Sequence, residues 1–125
     1  MIKVIDSKSA PEALGPYSQA IDTGTTLYVS GMLGIVRSTG NLAGDDITSQ
    51  TEQVFKNINA ILLEAGYKKE NITKCTVYLS HLNDFAECNK VYANYSGHHK
   101  PARACVEVSG MVKNAKVEID VIAVK

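Results

Sequence analysis

Two stretches near the end of the chain alternate strictly between apolar and polar residues, as half-buried β-strands do. Residues 102–109 place alanine or valine at every second position, and residues 116–124 do the same with valine, isoleucine and alanine. Successive side chains of a strand point to opposite faces, so each stretch has one apolar face and one mixed face. We expect two strands here, joined through a hairpin loop over residues 110–115.

The apolar positions of both strands are expected to face the protein core. The opposite faces then carry Arg103 and Cys105 on the first strand, and Glu118, Asp120 and Ile122 on the second. A sheet face that is half charged and half apolar is a candidate for subunit contact, with ligand sites along the joint.

Two amphipathic helices are predicted between the strands. Residues 46–65 carry apolar side chains at spacings of three and four, and Gly66 follows where a helix end favours glycine. Residues 84–95 carry a second apolar stripe, and Asp84 and Glu87 have the spacing of a capping box. Two helices can cover only one face of a sheet.

Further strands are predicted from short runs of residues that suit a pleated surface. They lie at residues 3–5, 17–21, 27–31 and 75–80. The order of strands, helix, strand, helix and two strands indicates an α+β fold, with residues 1–125 forming one domain.

The charges of the chain balance, with 13 Lys plus Arg against 13 Asp plus Glu. Nucleic acid and anionic membranes both attract an excess of positive charge, so neither is expected as the main partner. No stretch approaches the roughly 18 apolar residues of a membrane-spanning helix, and residues 1–13 lack the apolar run of a signal peptide. Three scattered cysteines fit reduced thiols, so a cytoplasmic location is expected.

Arginine is rare in this chain, since only Arg37 and Arg103 occur. Arg37 lies in a polar segment, where a solvated surface role is expected. Arg103 lies within a regular strand, and its planar fork can hold a carboxylate by two parallel hydrogen bonds. The alternative is a cross-strand ion pair with Glu118 or Asp120, which is the more frequent role of strand charges.

Other residue types capable of chemistry give weaker signals. Glu118 and Asp120 share a strand face, and paired carboxylates perform acid–base chemistry when burial separates their pKa values. On an exposed strand such carboxylates more often form ion pairs with neighbouring positively charged side chains. Cys105 has no sequence-local base, which favours the role of a small, mostly buried residue. The histidines do not have the spacing of metal ligands, so no metal site is predicted.

Four residues are candidate ligand contacts whose pattern leaves the role open. Gly31 follows Ser30 in an apolar strand, where glycine permits close approach of a ligand or marks a bulge. Tyr17 is either a core aromatic or a lid over a pocket. Asn89 lies beside the apolar stripe of the second helix, so its amide needs backbone or ligand partners.

Several segments, taken together, carry a family resemblance over nearly the whole chain. In order they are Gly15-Pro16-Tyr17, Tyr28-Val29-Ser30-Gly31, Asn83-Asp84-Phe85 with Asn89 and Tyr92, Pro101-Ala-Arg103-Ala-Cys105-Val-Glu-Val108, and Val117-Glu118-Ile119. They resemble the RidA family, the reactive intermediate (imine) deaminases, which are also called L-PSP or YjgF-type proteins. The segment around Arg103, with the later Glu-Ile pair, is the most specific part.

The resemblance implies a chorismate-mutase-like α+β fold, with a six-stranded mixed sheet and two helices on one face. It also implies a homotrimer with active sites between neighbouring subunits. The implied activity is hydrolysis of 2-imino acids and their enamine tautomers, released by pyridoxal-phosphate-dependent dehydratases, to 2-oxo acids and ammonia. No metal or organic cofactor is implied.

By the same resemblance, Arg103 holds the substrate carboxylate and Glu118 positions or assists the attacking water. The remaining pocket residues that it implies are Tyr17, Ser30, Gly31, Asn89 and, through its backbone, Cys105.

The chain departs from the family pattern at the expected pocket rim. Met32 and Gly34 stand where the family usually has glutamine and proline, and Met111-Val112 replaces the usual Leu-Pro pair. The loop before Pro101 is also shortened. These departures leave the preferred side chain of the substrate open.

Two other functions stay open at this point. One is a trimer that binds 2-oxo acids or other small carboxylates as a sensor or protein partner, which needs Arg103 but not Glu118. The other is an endoribonuclease or translation inhibitor, a function attached to some names in the family. The zero net charge weighs against the second.

Overall fold

A computed structural model of residues 1–125 shows a mixed β-sheet with two helices against one face. The strands are β1 (Lys3–Ile5), β2 (Ala20–Asp22), β3 (Thr26–Leu33), β4 (Ile35–Val36), β5 (Asn41–Leu42), β6 (Ile72–Leu79), β7 (Ala102–Glu107) and β8 (Val117–Val124), and the helices are α1 (Ile47–Ala65) and α2 (Phe85–Ser96). Six strands form the main sheet in the order β1-β2-β3-β8-β6-β7, and β4 pairs with β5 in a small separate ribbon.

Helix α1 begins and ends where its sequence predicts. The Asp46 side chain caps the first turn by accepting a hydrogen bond from the Ser49 amide at 2.9 Å. Gly66 ends the helix in the left-handed conformation, with φ of 78°. The apolar stripe is buried against the sheet, and Ile58 and Ile61 are fully enclosed.

Helix α2 lies where it was predicted, but its predicted capping box is wrong. Residues 82–84 form a turn of 3-10 helix that runs directly into α2. Asp84 therefore has a helical backbone conformation, with φ of −85° and ψ of −2°, and its side chain makes no capping hydrogen bond. A capping side chain needs an extended backbone to reach the first free amides.

The predicted hairpin between the last two strands is also wrong. β7 pairs in parallel with β6, and β8 lies on the other side of β6 in an antiparallel pairing. Parallel neighbours need a crossover connection, and α2 supplies it between β6 and β7. Residues 112–114, inside the predicted loop, form a 3-10 turn that leads across to β8.

The second strand is shorter at its start than residues 17–21 predict. The Tyr17 amide donates to the Gly15 carbonyl at 2.8 Å, so the chain turns there. The strand begins only at Ala20. The preceding turn becomes part of a cleft described below.

The core lies between the helices and one face of the sheet. Central strand β8 contributes every second residue to it, and Val117, Ile119, Val121 and Ala123 are at most 1% exposed. The alternation predicted for this strand is therefore confirmed. The opposite face of the sheet is covered by no helix and mixes charged with apolar side chains, among them Glu118, Asp120, Tyr28, Val106 and Val124.

Three buried amide side chains fasten the loops to this core. Gln19, Gln50 and Asn57 are at most 2% exposed, and each bonds to backbone groups in loops or at strand ends. Their backbone partners are Ser7 and Pro11 for Gln19, Gly44 and Lys116 for Gln50, and Leu33 and Ile35 for Asn57. A buried amide is stable only when it is hydrogen-bonded in this way.

No helix of the structure combines the length and the apolar character needed to span a membrane.

Candidate functional site

Arg103 lies on the helix-covered side of the sheet, which corrects the prediction that it shares the open face with Glu118. In the β6–β7 pairing Arg103 is opposite Cys75, and Cys105 is opposite Val77. Both partners are buried against the helices, and directly paired residues share a face.

The error has a physical cause. β7 is an edge strand whose apolar residues face the open side, where Val106 remains 44% exposed. Alternation along a single strand separates its two faces, but it does not say which one the helices cover.

The Arg103 guanidinium is held by side chains of α2. Its Nη1 donates to Oδ1 of Asn89 at 2.7 Å. Its Cζ lies 4.6 Å from the ring centroid of Tyr92 and 5.6 Å from that of Phe85. No carboxylate lies within 4.0 Å of it, so the alternative of an ion pair with Glu118 or Asp120 is wrong.

A cleft of about 500 Å³ opens beside this guanidinium. We call it the Arg103 cleft, and its lining includes Asn89, Tyr92, Ser96, Lys100, Pro101 and Arg103. The positive charge of Arg103 is therefore unneutralised at the wall of a cavity. Such a group favours the binding of a small anion.

Glu118 lies on the open face of β8, against the backbone of β3. A Cβ atom built on Gly31 would be 2.7 Å from the Cδ of Glu118, so only glycine leaves room for the carboxylate there. The β3–β8 register shifts between Val29 and Met32, which places Gly31 in the irregular part of the strand. The interpretation of Gly31 as part of a bulge is confirmed, whereas close approach of a ligand stays a prediction, since the group beside Gly31 in this chain is the Glu118 side chain.

The surroundings of Glu118 favour its neutral form more than water does. Burial raises the pKa of this carboxyl, and the nearby negative charge of Asp120 raises it further. Asp120 itself accepts a hydrogen bond from the Tyr78 hydroxyl at 2.9 Å. Two neighbouring carboxylates thus have different environments, which is the condition for acid–base work.

A second cleft, of about 550 Å³, opens beside Glu118. We call it the Glu118 cleft, and its lining includes Tyr17, Ser30, Gly31, Met32, Lys113 and Glu118. Tyr17 is 54% exposed, which excludes the core-aromatic interpretation. The Ser30 hydroxyl donates to the Ser18 carbonyl at 2.6 Å and so holds the turn that carries Tyr17.

The predicted site residues thus fall into two groups within one chain. Asn89 and Arg103 line one cleft, whereas Tyr17, Ser30, Gly31 and Glu118 line the other. Arg103 and Glu118 are on opposite faces of the sheet. One chain alone does not bring the predicted carboxylate anchor and the predicted water-activating group together.

Cys105 is half-buried and packs against the core beside the Arg103 cleft. Burial raises the pKa of its thiol, although the Arg103 charge acts in the opposite direction. A protonated thiol is a poor nucleophile. No group of three or more His, Cys, Asp or Glu side chains is placed to hold a metal ion.

One structural role and one pair of contacts were not predicted from the sequence. Arg37 was expected to be solvated, but it donates to the Ala10 carbonyl at 2.7 Å and holds the segment before β2. Phe85 and Tyr92, which flank the guanidinium, were assigned only to the apolar stripe of the second helix. Their spacing was available as a signal, since both lie on the helix face that presents Asn89.

Residues 7–125 match the family model described as Endoribonuclease L-PSP. This chain belongs to the RidA/YjgF/L-PSP family. A RutC family protein of Pyrococcus horikoshii is 49% identical over 125 residues, which cover 100% of this chain and 99% of that protein. The 2-iminobutanoate/2-iminopropanoate deaminase of Mus musculus is 40% identical over 123 residues, covering 98% of this chain and 91% of that protein.

A solved structure supports the same assignment. The crystal structure of E. coli TdcF with bound serine is 37% identical and superposes with a TM-score of 0.94, covering 98% of each chain. The predicted family is therefore confirmed, and so is the predicted chorismate-mutase-like α+β fold with two helices on one face. The homotrimer and the residue roles stay predictions.

Proposed function

We propose that this protein hydrolyses 2-imino acids and their enamine tautomers to 2-oxo acids and ammonia, at sites completed by a second copy of the chain. One observation carries the proposal: an unneutralised guanidinium and a half-buried carboxylate line separate clefts, and each cleft lacks the group that the other holds. The mouse relative is named for this activity.

Arg103 is the proposed anchor for the substrate carboxylate. A guanidinium has five N–H donors, and Asn89 accepts from one nitrogen only. The remaining donors suit a bidentate contact with a carboxylate. The serine bound to TdcF is a small amino acid, and it carries a carboxylate as a 2-imino acid does.

Glu118 is the proposed general base. As the oxygen of a water molecule bonds to the imine carbon, Glu118 takes a proton from that water. The electron pair of the C=N bond moves to nitrogen, which receives the proton back from Glu118. In the second half, Glu118 moves the hydroxyl proton to the same nitrogen, the C–N bond breaks, and the 2-oxo acid and ammonia leave.

This chemistry needs no covalent nucleophile, because an imine carbon is already electrophilic. What it needs is a held carboxylate, a placed water and a proton carrier. The raised pKa of Glu118 suits the last task, since it moves the carboxyl towards the range in which a proton is both taken and returned.

A second copy of the chain is the proposed partner, in the homotrimer that the family resemblance implies. The open face of the sheet exposes apolar side chains, including Tyr28, Val106 and Val124, that association would bury. In the proposed assembly, the Arg103 cleft of one copy lies against the Glu118 cleft of its neighbour. The chain has zero net charge, which does not oppose such association.

The test is a coupled assay with threonine dehydratase as the source of 2-iminobutanoate and semicarbazide as the trap. The wild-type protein is expected to suppress semicarbazone formation, whereas Arg103→Ala and Glu118→Gln are expected to leave it at the level of buffer. Glu118→Gln should still bind 2-oxobutanoate, because it retains the anchor. Wild-type protein that is folded but behaves like buffer would refute catalysis on this substrate and leave carboxylate binding as the function.

Mixing the two inactive variants tests the shared site. Chains with Arg103→Ala keep Glu118, and chains with Glu118→Gln keep Arg103, so some interfaces of a mixed assembly contain both groups. Random assembly from equal amounts should restore about one quarter of wild-type sites. No recovery from co-expressed, assembled variants would refute a site built from two copies.

A further inference from the structure

The aromatic ring of Tyr92 lies against the guanidinium of Arg103, with 4.6 Å between Cζ and the ring centroid. Tyr92 is 8% exposed and sits in the core between α2 and the sheet. Phe55 on α1 packs against it edge to face, with centroids 5.7 Å apart and planes inclined at 72°. Packing against Phe55 therefore fixes the Tyr92 ring, and the guanidinium of Arg103 lies over the face of that ring.

We propose that Tyr92 is a positioning residue, whose ring face fixes the Arg103 guanidinium so that its free donors meet the substrate carboxylate. This inference rests on the proposed function, because it concerns how that carboxylate is bound.

A ring face supplies a restraint that Asn89 does not. The single hydrogen bond to Asn89 fixes one nitrogen and leaves the guanidinium free to turn about that point. An aromatic face attracts a cation and restricts its plane. Asn89 and Tyr92 are three residues apart on α2, so one helix face presents both restraints.

Restraint of this kind strengthens binding through preorganisation. Arginine has several rotatable bonds, and a free side chain must be ordered when the ligand binds. Holding it in the bound conformation removes that cost from the binding step. The arrangement also explains why an exposed arginine remains at the cleft wall although no carboxylate neutralises it.

The hydroxyl of Tyr92 has no part in this role. Its oxygen is buried and bonds to no nitrogen or oxygen atom, so the thiol of Cys75 beside it is its nearest polar neighbour. A small void of about 10 Å³ adjoins both residues. A buried hydroxyl with only a thiol as partner adds little to the stability of a fold. Its removal in Tyr92→Phe is therefore expected to keep the ring function and not to lower the melting temperature.

The experiment is calorimetric titration of 2-oxobutanoate into four variants beside the wild-type protein. Tyr92→Leu removes the ring face and is expected to weaken the Kd about threefold to thirtyfold. Tyr92→Phe is expected to restore wild-type affinity. Tyr95→Leu is the matched control, because Tyr95 stacks on Phe55 at 4.3 Å but does not contact Arg103. It should lower the melting temperature and leave the Kd unchanged.

Arg103→Ala provides the baseline that separates this inference from the proposed function. If Arg103→Ala binds as tightly as wild type, the anchor role itself fails. If Arg103→Ala loses binding but Tyr92→Leu does not, the anchor stands and the positioning role is refuted. Equal losses in Tyr92→Phe and Tyr92→Leu would assign the effect to the hydroxyl and also refute it.

A double variant distinguishes positioning from general damage to the fold. In the Arg103→Lys background, which keeps a charged anchor without the planar guanidinium, Tyr92→Leu is expected to cause a smaller loss of affinity than in the wild type, whereas a structural role would cause the same loss. All titrations are made below the melting temperature of each variant. Should Tyr92→Leu fail to fold, Tyr92→Met takes its place, since methionine fills the same core position without a ring.

Discussion

Replacing Gly31 with alanine is expected to remove most of the activity and leave the fold stable. The new Cβ would lie 2.7 Å from the Cδ of Glu118 and 3.1 Å from its Cγ. Both distances are far shorter than ordinary carbon–carbon contacts of 3.5–4.0 Å. The glutamate side chain is flexible and the strand backbone is not, so the carboxylate moves away from its place in the cleft.

The two consequences differ in size. A strained glutamate rotamer costs about 0.5–1.5 kcal/mol. Alanine recovers about 0.4–1 kcal/mol by restricting the unfolded chain, since Gly31 does not have a positive φ. The free energy of unfolding should therefore change by less than about 1 kcal/mol. Loss of a positioned general base lowers the rate by about 10²–10⁴, which corresponds to about 3–5 kcal/mol of transition-state stabilisation.

Urea denaturation and the coupled imine assay measure the two effects on the same preparations. Gly110→Ala is the matched control, because Gly110 has open space around its Cβ position and no positive φ. It should change neither quantity. Gly31→Ala should lose no more of the rate than Glu118→Gln loses, because both act through the same carboxylate. A Gly31→Ala protein with the wild-type rate would show that the carboxylate in this position does not activate the water.

Three further outcomes test other parts of the structure. Gly34→Ala is expected to lower the free energy of unfolding by about 1–3 kcal/mol. The new Cβ would lie 2.9 Å from the Cα of Gln50, so only a shift of the backbone could make room for it. An unchanged urea midpoint would contradict this. Asp22 accepts hydrogen bonds from a backbone amide and from the Tyr67 hydroxyl, which lower its pKa from 3.8. A pKa that is lower in the folded state stabilises the fold at pH values above the pKa of the unfolded chain. This stabilisation is lost as the pH falls through the pKa of the folded state. The melting-temperature gap between wild type and Asp22→Asn should therefore close in acid, and a gap independent of pH would exclude the carboxylate as its cause. Burial raises the pKa of the Cys105 thiol, so iodoacetamide should alkylate it far more slowly in the folded than in the unfolded protein, as mass spectrometry of the peptide can show; equal rates would refute this.

The sequence predicts the location of helices and strands more reliably than it predicts which strands pair with each other. α1 was located to within a residue, because its apolar stripe and Gly66 agree on its extent. The alternation of β8 identified which of its residues are buried. The pairing of β7 was missed, since it depends on where α2 returns the chain and not on any local pattern.

The candidate site shows the same division. Arg103 and Glu118 were selected by residue type and family resemblance, but their placement in separate clefts became visible only in three dimensions. The close contact between Gly31 and Glu118 links positions far apart in the chain. Such contacts follow from sheet order and register, which a single sequence does not encode in any short segment.

The central place of β8 in the sheet bears on how the protein folds during synthesis. β8 joins β3 on one side to β6 on the other, yet it follows both of them in the sequence. Until it emerges, β1-β2-β3 and β6-β7 are separate pieces, each with an unpaired inner edge. Exposed edges of this kind attract other chains, so the nascent protein is most prone to aggregation before β8 has been synthesised and has paired with both neighbours.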